Sequence, residues 1–212
     1  MDDVLVIGAN GKTGRLICKI LEQADHYKPY AMLRHESQAN YFKNNNIKTV
    51  IGDLEEDFSH AFKHTDKVIF AAGSGGNTGD DKTEAVDKKG AIKAIDYAEA
   101  AQIDKFVMLS SMGTENPSQM KSLQTYLEAK KAADEHLQSS QLDFSIVRPG
   151  SLTDNNASHK IQASERLGKF GEISREDVAF ALVYCLNQKH APKKTFEIIK
   201  GNTPIEEAIN AF

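Results

Sequence analysis

The 212-residue sequence has no tryptophan, only two cysteines, no excess of basic residues and no long apolar run. Cys18 and Cys185 are far apart in segments with helical patterns, so we expect two small buried side chains rather than a disulfide framework. A formal net charge of −4 at pH 7 argues against nucleic-acid binding, which needs a clustered basic surface. Because no apolar run approaches the roughly 20 residues that span a bilayer, no membrane association is expected.

The rest of the composition is ordinary for a globular protein, with 40% hydrophobic and 26% charged residues. The N-terminal Met-Asp-Asp lacks the basic start of a signal peptide, so we expect a cytoplasmic protein. The histidines show no paired metal-ligand spacing, and no metal site is predicted.

Short apolar runs alternate with helical patterns along most of the chain. Two of these runs, Val68–Ala72 and Phe106–Ser110, are almost entirely apolar, which is typical of central strands buried on both faces. This alternation predicts an α/β fold of the Rossmann type, a doubly wound parallel sheet with helices on both faces. Other strands are predicted at Val4–Ile7, Tyr30–Leu33, Lys48–Ile51, Phe144–Arg148 and Thr195–Ile199, and helices near residues 13–24, 37–44, 57–63, 84–101, 120–139 and 175–187.

The predicted strand Val4–Ile7 runs directly into three glycines, Gly8, Gly11 and Gly14, and then into an amphipathic helix. In a dinucleotide site the first such glycine allows a tight turn and the second lets the backbone approach a pyrophosphate. The third lets the helix pack closely on the strand. The helix N-terminus then offers free N–H groups and a partial positive charge to the phosphates. The segment therefore predicts a dinucleotide cofactor.

The residue about 20 positions after the last glycine separates NAD from NADP in sites of this type. Arg34 occupies this position instead of a carboxylate, and its planar fork of donors suits a 2′-phosphate. We therefore favour NADP, while the nearby Glu36 leaves NAD possible. Asp53 and Leu54 follow the third predicted strand, where both could border the adenine, or Asp53 could cap the next helix.

The chain changes character after Pro149-Gly150. Residues 1–150 are predicted to form the dinucleotide-binding core, and residues 151–212 a small C-terminal, substrate-side part packed on the same domain. Residues 151–173 look polar and irregular. Within the core, the glycine-rich residues 73–81 are interpreted either as a mobile segment over the cofactor or as a solvated loop.

Chemistry is indicated where the fifth predicted strand ends in Ser110-Ser111 and the next helix carries Tyr126 and Lys130. Residues four apart lie on one helix face, so the phenol and the ammonium are neighbours. A nearby cation stabilises a phenolate, which suits a tyrosine to proton transfer near neutral pH. A serine hydroxyl at the strand exit could hold a substrate carbonyl or alcohol oxygen.

With these motifs in this order, the chain resembles the atypical short-chain dehydrogenase/reductase superfamily. The resemblance is to its NAD(P)-dependent epimerase/dehydratase-like branch, with NmrA-like relatives. It covers nearly the whole chain, through Gly8-x-x-Gly11-x-x-Gly14, Gly52-Asp53-Leu54, Ala71-Ala72-Gly73, Ser110-Ser111, Tyr126-x-x-x-Lys130, Val147-Arg-Pro-Gly150 and Ile173-Ser-Arg-Glu-Asp-Val-Ala179.

The resemblance implies a role for each matching residue. Ser111 would orient the substrate oxygen, Tyr126 would act as general acid/base, and Lys130 would bind the nicotinamide ribose and stabilise the phenolate. Asp87 stands where the superfamily has a supporting Asn, and an ionised Asp accepts hydrogen bonds but cannot donate them. Gly11, Lys12 and Thr13 would face the pyrophosphate, and Ala71, Ala72, Gly73 and Pro149 would border the path from the adenine to the nicotinamide. The other cofactor-binding residues of the turn would be Gly8, Asn10 and Gly14.

The resulting functional hypothesis is an NADP-dependent oxidoreductase that acts on a small carbonyl or alcohol. One alternative is a non-catalytic NADP sensor resembling the NmrA-like regulators, which the incomplete catalytic set favours and the intact Tyr-x-x-x-Lys disfavours. The other is a nucleotide-sugar epimerase or dehydratase, which the short C-terminal part disfavours. A small-molecule substrate and a monomer or homodimer are expected, with neither nucleic acid nor membrane as a partner.

Overall fold

The computed structural model describes residues 1–75, 79–187 and 189–212. Six parallel strands form the first part of its main sheet, in the order β3-β2-β1-β4-β5-β6. They are β1 (Asp2–Ile7), β2 (Tyr27–Leu33), β3 (Lys48–Ile51), β4 (Lys67–Phe70), β5 (Lys105–Leu109) and β6 (Phe144–Pro149). In the centre of the sheet, Leu5 of β1 pairs with Tyr30 on one side and with Val68 on the other. The predicted Rossmann-type parallel sheet is confirmed.

Helices cover both faces of this sheet. The helices are α1 (Lys12–Glu22), α2 (Ala39–Lys43), α3 (Asp80–Lys82), α4 (Ala91–Ala100), α5 (Gln124–Ser139), α6 (Arg175–Tyr184) and α7 (Ile205–Asn210). Successive residues of a strand point to opposite faces. Accordingly, Val4 packs in the core that includes Ile17 of α1, while Leu5 packs in the core that includes Ile95 of α4 and Leu137 of α5.

The part after residue 150 extends the same sheet. β10 (Lys194–Lys200) pairs with β6 in parallel, β8 (Lys160–Ser164) is antiparallel to β10, and β11 (Thr203–Pro204) is antiparallel to β8. The strands β7 (Ser151–Thr153) and β9 (Glu172–Ser174) form a separate parallel pair.

The expectation of an irregular segment at 151–173 was therefore wrong. β8 buries only Ile161 completely, so it carries no apolar run that its own sequence could reveal. Its strand conformation depends on the pairing with β10, which is more than thirty positions further along the chain.

Two predicted helices are shorter than expected. Of the helix predicted at 57–63, only the 3₁₀ turn Ser59–Phe62 forms. Phe58 and Phe62, which are four residues apart as in a helix, are both buried in the same hydrophobic core. The pattern at 37–44 begins as the 3₁₀ turn Glu36–Gln38 before α2. Two further 3₁₀ turns, Pro117–Gln119 and Lys121–Leu123, precede α5.

The helix expected at 84–101 has a composite form. It begins as α3, continues as the π-helical segment Thr83–Gly90 and ends as α4. π-Helical turns are rare and occur frequently at functional sites, since the extra residue per turn re-aims side chains. Residues 76–78 lie outside the described residues, and the two interpretations of the loop at 73–81 stay open.

Neither cysteine forms a disulfide, as predicted: Cys18 in α1 and Cys185 directly after α6 are both free and buried. Burial raises the pKa of each thiol to about 12. Within the described residues, no helix is both long enough and apolar enough to cross a bilayer.

Candidate functional site

The turn between β1 and α1 requires glycine at two positions. Gly8 has a φ of +84°, and a Cβ there would lie 2.5 Å from the backbone nitrogen of Ala72. A Cβ on Gly14 would lie 2.2 Å from the carbonyl oxygen of Gly8. The Gly11 N–H donates to the same carbonyl at 3.0 Å, which closes the turn. Gly11 is the N-cap residue of α1, and among the described residues no side chain caps the first N–H groups of this helix, which are therefore available to a ligand.

A first cavity, of about 340 Å³, lies at the carboxyl ends of β1, β2, β3 and β4. Ligands bind at this edge of a doubly wound sheet. Its walls contain most of the predicted cofactor residues, namely Gly8, Asn10, Gly11, Arg34, Asp53, Leu54, Ala71, Ala72 and Gly73. The tertiary structure thus brings together segments that are far apart in the sequence.

Two cationic side chains line this first cavity. Gln38 fixes the turn after β2, since its Oε1 accepts the backbone N–H of Arg34 at 3.1 Å. Lys82 of α3 also lines this cavity, and its Nζ lies 2.6 Å from Glu55 Oε1. The hydrogen bond to Glu55 raises the pKa of Lys82, and the positive charge of Arg34 acts in the opposite direction. Sequence reasoning missed Lys82, because only the tertiary structure brings α3 beside the end of β2.

A second cavity, of about 680 Å³, shares Gly11, residues 71–73 and Ser74 with the first. Its walls include the predicted residues Lys12, Thr13, Tyr126 and Lys130. They also include Ser110 and Arg175, together with the apolar side chains of Leu109, Leu123 and Leu152. The two cavities therefore adjoin at Gly11 and at residues 71–74.

Lys130 is the buried cation of the second cavity. Its Nζ lies 3.1 Å from Asp87 Oδ1, donates to the carbonyl oxygen of Ala72 at 3.2 Å and lies 5.7 Å from the centroid of the Tyr126 ring. Burial acts to lower the pKa of Lys130, but the negative charges of the Tyr126 phenolate, Asp87 and Asp134 outweigh it, so the pKa is raised. The ammonium stays protonated beside the phenol.

Asp87 is completely buried and lies on the π-helical segment. Its Oδ2 accepts the backbone N–H of Ser74 at 2.9 Å, while its Oδ1 pairs with Lys130. Both contacts require an acceptor, which a carboxylate provides and which the side-chain nitrogen of an asparagine does not. Asp87 therefore links the loop after β4 to α5, and it holds Lys130 under the cavity.

The two serines at the end of β5 have different surroundings. Ser110 lines the second cavity, and its hydroxyl donates to Asp134 Oδ2 at 2.8 Å. The Ser111 hydroxyl instead donates to the carbonyl oxygen of Met112 at 3.1 Å. Ser110 therefore shares the wall of the second cavity with Tyr126 and Lys130, whereas the predicted residue Ser111 is not among the described residues that line it. Asp134 was missed, although its spacing of four residues from Lys130 places it on the same helix face.

Two of the predicted cofactor residues, Gly14 and Pro149, are packed against other parts of the protein. Pro149 lies at the end of β6, is buried opposite Ile198 of β10, and accepts the Met112 N–H at 3.0 Å. Gly14 packs against the backbone of the glycine turn. Neither position is part of the walls of the two cavities.

A carboxylate bridges two cations at the rim of the second cavity. Asp154 lies 2.6 Å from Lys12 Nζ and 2.6 Å from an Arg175 guanidinium nitrogen. The hydrogen bond from Lys12 and the charge of Arg175 lower the pKa of Asp154. Arg175 is the first residue of α6, where the helix dipole disfavours a cation, so Asp154 offsets an unfavourable position.

The comparisons with known proteins agree with this geometry. The model of a family described as NAD(P)H-binding matches residues 8–189. The uncharacterized sugar epimerase YhfK of Bacillus subtilis is 37% identical over 210 residues, which cover 97% of this chain and 98% of that protein. The UPF0659 protein YMR090W of Saccharomyces cerevisiae is 36% identical, covering 98% of this chain and 97% of that protein.

A solved structure from Bacillus halodurans, named for the NAD-dependent epimerase/dehydratase class, has a TM-score of 0.95 and 41% identity, with all of both chains covered. The predicted relationship with NAD(P)-dependent epimerase/dehydratase-like proteins is confirmed. The family model covers most of the sequence, and the matched residues include the glycine turn and Lys130. This chain therefore belongs to the NAD(P)H-binding family.

Proposed function

We propose that the protein is an NADP-dependent oxidoreductase of the atypical short-chain dehydrogenase/reductase type, acting on a small carbonyl or alcohol. The observation that carries the proposal is the place of Tyr126 and Lys130. Both line the cavity that is continuous with the glycine turn, so a phenol and a buried ammonium face the space next to the cofactor residues. This arrangement suits proton transfer at one end of a bound dinucleotide.

The residues of the first cavity fit an NADP molecule. The glycine turn leaves no room for a Cβ at Gly8 and leaves the N-terminal N–H groups of α1 without a side-chain cap, which suits a pyrophosphate. Lys12 and Thr13 would hold the pyrophosphate, and Arg34 with Lys82 would hold the 2′-phosphate. When bound, the nicotinamide supplies or accepts the hydride.

The protein's own residues handle the proton. During reduction, the Tyr126 phenol gives its proton to the substrate oxygen, and the resulting phenolate lies beside the ammonium of Lys130. Asp87 keeps that ammonium in place and protonated. In the oxidation direction the phenolate takes the proton of the alcohol. The side chains of Leu109, Leu123 and Leu152 form an apolar wall for the substrate.

The experiment is a measurement of NADPH oxidation over a panel of small aldehydes and ketones, with Tyr126→Phe as the test variant. We expect kcat to fall about 100- to 10,000-fold, the usual contribution of a general acid. The affinity for NADPH should be unchanged. Tyr184→Phe is the matched control, since this phenol lies on α6 away from both cavities and accepts from Asn210. Equal turnover by wild type and Tyr126→Phe would refute the tyrosine's role.

A second candidate is an epimerase or dehydratase that acts on a nucleotide sugar. The name of the 37%-identical relative favours it, as do the cations Lys12 and Arg175 at the rim of the second cavity. Such an enzyme consumes no NADPH overall, because its cofactor is reduced and reoxidised in one cycle. Incubation with UDP-glucose, followed by NMR of the sugar, distinguishes the two candidates: a new epimer without net NADPH oxidation supports the second.

A further inference from the structure

The helix α5 presents three functional groups on one face. Tyr126, Lys130 and Asp134 are spaced by four residues, so they follow one another along one side of α5. Asp134 is 1% exposed, and its Oδ2 accepts two hydrogen bonds. One comes from the Ser110 hydroxyl at 2.8 Å, and the other from Nε of Arg148 on β6 at 2.9 Å.

These contacts fix the direction of the Ser110 hydrogen bond. A carboxylate only accepts, and an arginine only donates, so the Ser110 proton points at Asp134. Protonation of Asp134 would not reverse this direction. Its Oδ1 is buried and has no hydrogen-bond partner within the described chain, so a proton would reside there while Oδ2 continues to accept.

Within the described chain no group donates to the Ser110 oxygen, so its lone pairs remain available as acceptors. Ser110 is 3% exposed and shares the cavity wall with Tyr126 and Lys130. A buried acceptor that finds no donor carries a desolvation penalty. A carbonyl oxygen cannot satisfy it, because a carbonyl has no proton to donate.

We propose that Asp134 is a positioning residue that holds Ser110 as a hydrogen-bond acceptor, and that the substrate carries a hydroxyl or N–H group beside its reacting carbon to fill this acceptor. Tyr126 then exchanges a proton with the reacting oxygen, and the Ser110 oxygen accepts a hydrogen bond from the second group. This inference rests on the proposed function, since it concerns a substrate bound in the second cavity. The inference narrows the proposed substrates from small carbonyl compounds in general to those with a hydrogen-bond donor next to the reacting carbon.

The test compares two ligands that differ only in this donor, 2,3-butanediol and its monomethyl ether. Their dissociation constants are measured by NMR titration of the protein saturated with NADPH, because the reduced cofactor cannot accept a hydride from an alcohol and no turnover occurs. We expect the diol to bind about tenfold or more tightly, the loss that leaving a buried acceptor unpaired produces. Equal affinities, or binding of neither compound, would overturn the inference.

Variants of Ser110 and Asp134 test whether these two residues cause the preference for the diol over its ether. Ser110→Ala should bring the two dissociation constants within about threefold of each other, since the acceptor is gone. Asp134→Asn should keep the preference, because Arg148 can only donate and so holds the amide oxygen where Oδ2 was. Asp134→Leu should lose it, because the Ser110 hydroxyl is then free to rotate and donate.

Asp134→Leu leaves Arg148 as a buried cation without its main partner and is expected to destabilise the fold. The double variant Asp134→Leu/Arg148→Met removes both charges and keeps the test available. A folded Leu variant that retains the preference for the diol would refute the role of Asp134. Weaker NADP binding by Ser110→Ala without any alcohol present would show that the cofactor supplies the donor, and this also overturns the proposal.

The two proposals fail in distinguishable ways. A preference for the diol without turnover of any carbonyl would support the role of Ser110 and refute the oxidoreductase. For turnover, the matched pair is 3-hydroxy-2-butanone and 3-methoxy-2-butanone. Equal kcat/KM for these two ketones, with Tyr126→Phe inactive, would support the oxidoreductase and refute the acceptor role of Ser110.

Discussion

The ammonium of Lys130 lies 3.1 Å from the carboxylate of Asp87, and the two side chains are only 4% and 0% exposed. The removal of one partner from such a pair leaves an uncompensated buried charge, which costs about 3–5 kcal/mol. We expect Asp87→Leu to lower the free energy of unfolding by this amount in urea denaturation. The double variant Asp87→Leu/Lys130→Met should recover much of the loss. If the free energy of unfolding of Asp87→Leu lies within about 1 kcal/mol of the wild-type value, as is typical for an exposed ion pair, the prediction is wrong.

Arg34 and Lys82 provide a prediction for cofactor choice. Calorimetric titration should show that wild type binds NADP more tightly than NAD, because two cations line the first cavity beside the end of β2. Arg34→Asp should lose about tenfold or more in NADP affinity, since hydrogen bonds to charged groups contribute about 1.5–3 kcal/mol. NAD affinity should not fall, because a carboxylate at this position can accept a hydrogen bond from the ribose 2′-OH.

Lys82→Gln should act in the same direction as Arg34→Asp but more weakly, because Glu55 already pairs with Lys82. Lys63→Gln is the matched control, an exposed lysine outside both cavities. Equal affinity of the wild type for NADP and NAD would refute the preference for NADP.

Asp154 pairs with Lys12 and Arg175, two cations in the wall of the second cavity. Asp154→Asn should therefore tighten NADP binding at low ionic strength, with the gain shrinking as salt is added. Its pKa is lowered from the ordinary value, so the carboxylate is fully charged above about pH 5. The difference between wild type and variant should then be constant from about pH 5 to 9 and should diminish as Asp154 is protonated at lower pH. Weaker binding by Asp154→Asn would show instead that Asp154 holds the site's shape.

The burial of Cys18 and Cys185 leads to a prediction about their reaction with a thiol reagent. The pKa of Cys18 and of Cys185 is raised to about 12 by burial, and the thiolate is the reactive form. A disulfide reagent such as DTNB should react with neither residue in the native protein at pH 8. Both should react in guanidinium chloride without any reducing agent. Rapid labelling of the native protein would indicate that α1 or α6 opens readily.

Much of the cofactor half could be predicted because its signals are local. The glycines at 8, 11 and 14 must allow one short turn, and the strand before them and the helix after them are adjacent in the chain. Tyr126 and Lys130 share a helix face through a fixed spacing of four residues. Arg34 could be found by counting from the last glycine. The relative positions of such residues can be predicted from the sequence alone, because the regular geometry of a helix or a turn determines where residues a few positions apart lie.

Tertiary structure alone decided the rest. Consecutive residues at a strand end point to opposite sides, so only the placement of β5 in the sheet could put Ser110, rather than Ser111, in the wall of the second cavity. The π-helical segment that brings Asp87 to Lys130 has no signal in its own residues. The approach of Lys82 to Arg34 and the pairing of β8 with β10 join distant segments. These arrangements depend on packing between elements, which local sequence patterns do not specify.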